Sequence, residues 1–313
     1  MANVAAGTVW NLPNYVGELY TADMTSTPFL SAIGGMTGGQ MTTNFEFATA
    51  SEYSQETASQ PAITETDSLT APTAISYVRD QSKNVTQIFM EQVSISYKKA
   101  ANAGRLSGIN TAGSKPTVMS EKVFQTKKAL EKIARDIEYT FLNGAYQIST
   151  AANVADKTRG MIELCTVNTV AASSADFSKA LLDSLLLEMF GNGAQFKNAV
   201  LLCNGFQKQA ISNVYGYAPE DRNVGGLNIK QIETDFCSLG IMPAHRFMPT
   251  DTILIADLAV VAPVFQEVPD KGLLFYEELA RTGASEKGQI FGLVGLNHGP
   301  SFMHGTLTGL STS

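Results

Sequence analysis

The sequence contains few cysteines, few histidines and little charge. Its 313 residues include three cysteines, three histidines and 16% charged residues. Cys165, Cys203 and Cys237 lie far apart and form no C-x-x-C pair, which argues against a secreted disulfide framework. We therefore expect a reducing cytosol, in which buried cysteines act as small hydrophobic side chains.

Long apolar runs are also missing. No run approaches the roughly 18 consecutive apolar residues that span a bilayer. Residues 1–10 lack the basic and apolar regions of a signal peptide. These absences predict a soluble intracellular protein. With 44% hydrophobic residues, the chain is long enough to form one large domain or two modest ones, and it needs no metal or disulfide to stabilise the core.

Motifs that carry catalysis are absent as well. The sequence has no G-x-S-x-G, H-E-x-x-H or Walker loop. His298 and His304 have no third ligand at a usual metal spacing, and His245 lies in a predicted loop, so we interpret all three as structural. Glu277 and Glu278 are adjacent in a predicted strand and point to opposite faces, so they cannot share a substrate. The sequence therefore predicts no catalytic site, metal or cofactor.

The sequence has few features of a nucleic-acid-binding protein. No basic stripe with interleaved aromatic residues occurs, and the sequence pI is about 5.1. Sequence-specific DNA binding is therefore not expected, whereas nonspecific contact through an inner surface stays open.

Charge is distributed unevenly along the chain. Seven acidic residues precede the first basic residue, Arg79, and the remaining 235 residues are balanced. Between Arg79 and Lys128, nine basic residues face three acidic ones. This pattern predicts two complementary surfaces, within one chain or between copies, although a solvated acidic tail is the alternative. The candidate assembly contacts are Glu52, Glu56, Glu65, Asp67, Arg79, Lys98, Lys99, Lys122 and Lys127.

The first hundred residues predict an arm and a projecting hairpin. Residues 1–43 show no sustained period but contain large apolar side chains, which require a partner surface. A short strand at 44–48, a polar stretch at 49–74, and strand patterns at 75–78 and 85–97 predict an extended hairpin. A loop of this length is usually functional or disordered.

The strongest helical pattern runs from residue 118 to residue 142, a length of about 38 Å. Its apolar stripe consists of Val123, Leu130, Ile133, Ile137 and Phe141. Downstream, the pattern is that of a compact α/β region, in which Ser173 to Asp176 predicts a capping box. The predicted helices there are 177–190 and 205–214, and the predicted strands are 199–203, 252–255, 273–276 and 290–296.

The order of these elements resembles that of the major capsid proteins of tailed bacteriophages, whose Johnson fold is shared with encapsulins. The long helix ends in residues 134–144, ARDIEYTFLNG, which is similar to the acidic-aromatic-"LNG" segment of that family. Residues 158–161, TRGM, resemble the family's turn into its axial domain. Residues 296–305, LNHGPSFMHG, resemble its closing strands.

This resemblance implies an α+β capsid shell fold with an N-terminal arm, an extended β-hairpin loop, a long spine helix, and peripheral and axial domains. It implies a structural protein that is not an enzyme and that self-assembles into hexamers and pentamers of an icosahedral shell around phage DNA. The implied boundaries are an arm at 1–43, an extended loop at 44–92, a peripheral domain at 93–160 with the spine helix at 118–142, an axial domain at 161–265, and a return to the peripheral domain at 266–313.

The partners implied by the resemblance are other copies of the chain, portal, scaffold or decoration proteins, and packaged DNA through nonspecific contacts. The implied location is the virion capsid, assembled in the host bacterial cytoplasm. The chain opens directly with the arm and lacks the charged helical scaffolding segment of many relatives. We therefore expect a separate scaffold, an already mature chain, or no scaffold. Two alternatives remain, namely an encapsulin-like compartment shell and an unrelated α/β enzyme with an unmarked site.

Overall fold

The computed structural model describes residues 26–35, 38–53, 58–71, 73–100, 121–216, 231–281 and 283–312. The helices in this part are α1 (Pro28–Ala32), α2 (Tyr97–Ala100), α3 (Glu121–Asn143), α4 (Met161–Leu164), α5 (Lys179–Gly191) and α6 (Gly205–Tyr215). The strands are β1 (Gln40–Thr42), β2 (Glu46–Tyr53), β3 (Arg79–Val85), β4 (Gln87–Ser96), β5 (Thr169–Ala171), β6 (Ala199–Cys203), β7 (Gln231–Glu233), β8 (Ser238–Pro243), β9 (Ile253–Asp257), β10 (Ala262–Gln266), β11 (Leu274–Glu278), β12 (Ser285–Asn297) and β13 (Gly305–Thr308).

A five-stranded sheet is organised around β12, which at 13 residues is the longest described strand. On one side β12 pairs antiparallel with β4. On the other side it pairs antiparallel first with β11 and then with β10, and β1 adds in parallel to β10. The inner face of this sheet packs against α3 through buried residues such as Phe89, Val93 and Ile290.

A six-stranded mixed sheet has the order β5-β13-β9-β6-β8-β7. Alternate residues of its strands enter two different cores. Leu202 and Leu254 pack toward the core shared with α1, α3 and the five-stranded sheet. Leu201 and Ile255 pack toward a second core formed with α5 and α6. Because both faces are buried, the central strands are continuous apolar runs rather than alternating ones.

The predicted hairpin is confirmed as a two-stranded antiparallel ribbon formed by β2 and β3. A register shift between Ala48 and Ala50 marks a bulge. The prediction of a strand at 75–78 is wrong, because these residues have no regular structure and are exposed, and β3 begins only at Arg79. After β3 the chain continues through Thr86 directly into β4, so the ribbon is joined to the five-stranded sheet.

The long helix is confirmed over Glu121–Asn143, but two members of its predicted stripe are exposed. Ile137 is fully buried, whereas Val123 is 53% and Leu130 40% exposed. The buried line follows every fourth residue, from Ala129 through Ile137 to Phe141. Four residues turn a helix through about 400°, so this line winds by about 40° at each step. If this winding continues toward the start of the helix, the buried side at the level of residue 123 is the side opposite Val123. Val123 therefore faces solvent.

The helices and strands predicted downstream are confirmed, with one error in a cap. The predicted capping box at Ser173 is wrong, because Ser173 has a positive φ and α5 begins later. Ser178 is the N-cap, and its hydroxyl accepts a hydrogen bond from the Leu181 N–H. Across the described ranges, no helix is long and apolar enough to cross a membrane.

Candidate assembly surfaces

The two C-terminal histidines are buried as neutral groups. The Nδ1 of His304 accepts a hydrogen bond from the Asp257 N–H (3.2 Å), and its Nε2 lies 2.8 Å from the carbonyl oxygen of His298. His298 in turn contacts the carbonyl oxygen of Gly299 through Nδ1 (2.7 Å). Burial lowers the pKa of both imidazoles to about 4. These contacts link β9 to the turn that precedes β13, so both histidines support the fold, whereas His245 is exposed.

The other potential reactive groups are separated or held in a protonated form. Burial raises the pKa of the Cys203 thiol to about 12 and that of Cys165 further. Glu277 pairs with Lys271 (2.6 Å), whereas Glu278 pairs with Lys122 (2.7 Å), so the two carboxylates diverge. Within the described ranges, no three histidine, cysteine or acidic residues are grouped in a way that could hold a metal ion.

The predicted acidic contacts lie along the β2–β3 ribbon and its tip. Glu65 and Asp67 are exposed, and the Thr64 hydroxyl donates to Asp67 (2.7 Å), which lowers the pKa of Asp67. Glu52 lies directly opposite Asp80 across the ribbon, an arrangement of like charges that is unfavourable in a sheet. Glu56 lies outside the described residues.

The predicted basic contacts divide into paired and unpaired side chains. Lys99 forms an ion pair with Glu121 (2.8 Å), and Lys122 pairs with Glu278 and, at 3.7 Å, with Glu286. The hydrogen bond from Lys122 to Glu278 raises the pKa of Lys122. The structure thus provides internal partners for part of the basic surplus.

The remaining predicted bases are exposed. Lys98 and Lys127 form no ion pair with any carboxylate in the described part of the chain, and Arg79 lies opposite Tyr53 at the outer end of the ribbon. The structure therefore leaves Lys98, Lys127 and Arg79 accessible to other molecules.

The sequence reasoning missed the apolar side chains of the loop. Ile63, Leu69, Ile75, Tyr77 and Val78 are between 58% and 85% exposed. Several large apolar side chains exposed along one segment are typical of a surface that binds another molecule. The signal was present, since 75–78 has a strand-forming composition, but we interpreted it as a strand within the subunit.

A buried carboxylate anchors the N-terminal arm to the long helix. Oε1 of Glu138 accepts a hydrogen bond from the Phe29 N–H (2.9 Å), and Oε2 accepts one from the Leu30 N–H (2.6 Å). Glu138 is fully buried. Burial raises its pKa, and the two backbone hydrogen bonds oppose that shift. Glu138 therefore satisfies two backbone donors in the first turn of α1, where no helical partner exists.

The end of the same helix joins two further segments. The side-chain amide of Asn143 donates to the Phe247 carbonyl (2.6 Å). A Cβ at Gly144 would lie 2.5 Å from the carbonyl oxygens of Thr140 and Thr158, so only glycine fits there. Thus Glu138, Asn143 and Gly144 of the "LNG" segment each hold a different part of the chain.

A family model described as SU10 major capsid protein matches residues 2–311 of the chain. Nearly the whole chain is therefore covered by one family. A search of curated protein sequences gives no match.

Solved capsid structures share the fold at low sequence identity. The capsid subunit of cyanophage A-1(L) superposes with a TM-score of 0.67 at 11% identity, covering 96% of this chain and 98% of that one. The capsid of Myoviridae phage XM1 gives 0.61 at 13% identity, with 95% and 97% covered. The SrpI encapsulin of Synechococcus elongatus gives 0.58 at 11% identity, with 97% and 94% covered. The fold is therefore the α+β capsid shell fold of tailed phages.

Proposed function

Since the chain belongs to the SU10 major capsid protein family, we propose that it acts without a catalytic site, by assembling as hexamers and pentamers into an icosahedral shell around phage DNA. As a capsid protein it is part of the virion shell. The finer proposal includes assembly in the bacterial host's cytoplasm, association with a portal and with scaffold or decoration proteins, and nonspecific contact with packaged DNA.

The exposed apolar loop is the observation that carries self-assembly. Residues 63–71 and 73–78 contribute no buried side chain to either core, yet they contain Leu69 and Tyr77 in exposed positions. Exposure of such side chains is costly in an isolated subunit, whereas each would stabilise a contact by about 1.5–3 kcal/mol when fully covered. A neighbouring copy provides that cover in a closed shell.

Charge complementarity supports the same arrangement. We propose that Glu65 and Asp67 of one copy approach Lys98 and Lys127 of a neighbour, because these bases form no ion pair with any carboxylate among the described residues. Each exposed pair would contribute only about 0.2–1 kcal/mol. Repetition over every contact of a shell allows the sum to fix the relative positions of subunits.

The charge proposal is tested by charge reversal and rescue. The Glu65→Lys/Asp67→Lys variant should assemble more slowly, and adding Lys98→Glu/Lys127→Glu to the same chain should restore part of the rate. Light scattering measures assembly, and the Asp176→Lys/Glu267→Lys variant makes the same charge change at exposed sites elsewhere. Normal assembly of the first variant at low salt would show that the acidic loop only aids solubility.

Electron microscopy of the purified chain tests the shell itself. Closed particles with regular capsomers are expected, and a chain that stays monomeric under all assembly conditions would contradict the proposal. The contents of native particles then distinguish two kinds of shell. DNA inside supports a phage capsid, whereas a protein cargo without DNA would support the encapsulin-like alternative that the SrpI similarity raises.

A further inference from the structure

The five-stranded sheet has an open edge at β4. This strand of ten residues pairs with β12 along one side, from Gln87↔Val294 to Ser96↔Ser285. No described strand pairs with its other side. Residues of an antiparallel strand direct their backbone groups alternately to either side, so about half of those of β4 point away from the sheet. Such an edge is a template for an additional strand.

The outward face next to this edge is apolar in the first part of β4. Ile88 is 59% and Met90 58% exposed, and their cross-strand neighbours on β12 are Leu293 and Phe291. Edges that stay free in solution usually carry charged side chains or proline, which prevent pairing. The two exposed apolar side chains on β4 instead indicate an edge that becomes covered.

A strand-forming segment of the loop has no partner within the described subunit. Residues 73–78, TAISYV, combine β-branched and aromatic residues, a composition typical of strands. They are exposed and have no regular structure. The segment cannot reach its own β4, because β3 separates the two and its seven residues extend over about 23 Å. Among the described residues, the segment therefore has no strand with which it could pair.

We propose that residues 73–78 of one copy add as an antiparallel strand to the open edge of β4 in a second copy. The inference deepens the proposed self-assembly and rests on it. Aligning Tyr77 with Ile88 places Ile75 opposite Met90, so both apolar pairs share the outward face.

Cysteine cross-linking in assembled shells tests this register. The Tyr77→Cys/Ile88→Cys variant should give a ladder of covalently linked chains on mild oxidation, because paired side chains lie within disulfide distance. The Ser76→Cys/Ile88→Cys variant is the matched control, since its side chains would lie on opposite faces. Its yield should be at least about ten-fold lower. Equal yields, or a bond formed only within one chain, would overturn the proposal.

Hydrogen–deuterium exchange of the wild-type chain provides a test that needs no variant. On shell closure, amides of 73–78 and those amides of Gln87–Ser96 that point to the open edge should exchange at least about ten-fold more slowly. Closed shells in which β4 exchanges as in the free subunit would refute the strand addition and leave the proposed function intact. A wild-type chain that forms no shell would refute the proposed function, and with it this inference.

Discussion

Replacing Ile137 with alanine should destabilise the unassembled subunit by about 2–5 kcal/mol. Ile137 is fully buried in the C-terminal half of α3 and belongs to the core that joins the helix to both large sheets. The substitution removes three carbons that are surrounded by packed side chains, so it leaves a cavity. Val123, on the same helix, is more than half exposed. Val123→Ala should change stability by less than about 1 kcal/mol, because alanine's better helix propensity offsets the small loss of contact.

Urea unfolding followed by far-UV circular dichroism measures the difference. The assay is made on unassembled subunits, so that contacts between copies do not enter the free energy of unfolding. Ile137→Val removes one carbon and should cost about 0.5–1.5 kcal/mol, which provides a graded control. If Val123→Ala proved as destabilising as Ile137→Ala, the buried line of α3 would not follow every fourth residue, and the stripe predicted from the sequence would be right.

Three further outcomes follow from the loop, a histidine and the arm. Deleting residues 58–71 should leave the thermal melting of the subunit nearly unchanged but prevent shell closure in electron micrographs; an unfolded product would show that the segment belongs to the core. The pKa of His304 is about 4 when folded and about 6.5 when unfolded, so the unfolded state binds more protons between these values. His298 has the same lowered pKa, so each of the two histidines should reduce stability by up to about 3 kcal/mol as the pH falls from neutral toward pH 4. Urea titrations of His304→Gln should show about half of the wild-type decrease. Glu138→Ala should leave two backbone N–H groups without hydrogen-bond acceptors and destabilise the subunit by about 2–4 kcal/mol. Proteolysis near residue 29 should increase, whereas Glu138→Gln should retain part of the stability.

The elements that the sequence predicted well are those governed by local periodicity. The helix at Glu121–Asn143 and the strands β6 and β9 have side-chain patterns that identify the type and the approximate bounds of each element. The prediction that Val123 of α3 is buried was wrong, because a sequence does not show which side of a helix faces its neighbours at each turn. The direction of the buried line is set by the sheet against which the helix packs.

The error at 75–78 has a different physical origin. A strand needs a hydrogen-bonding partner, and composition alone does not show whether that partner lies in the same chain. Residues 75–78 have the composition of a strand, yet the ribbon pairs only from Arg79 onward. The strand addition proposed above would account for this mismatch between propensity and observed pairing.

The charge pattern of the sequence showed where acidic and basic residues are concentrated, but not which of them form ion pairs. Counting charges did not show whether the bases between Arg79 and Lys128 have partners within the chain or in a neighbouring copy. In the structure, Lys122 pairs with Glu278, which lies 156 residues away in sequence. Lys99 pairs with Glu121 in a largely buried contact. Pairs of this kind depend on the tertiary fold, so a linear count overestimates the free charge.

The balance between apolar and charged contacts indicates how each should affect assembly. Burying Ile75 and Tyr77 would contribute about 1.5–3 kcal/mol for each side chain, several times the value of an exposed ion pair. Apolar contacts should therefore set the stability of a closed shell, whereas charges act during approach and on relative position. The Debye length falls from about 10 Å at 0.1 M salt to 3 Å at 1 M. Added sodium chloride should consequently slow shell formation, as followed by light scattering, yet leave closed shells intact. Shells that dissolve in 1 M salt would show that ion pairs, not Ile75 and Tyr77, hold the copies together.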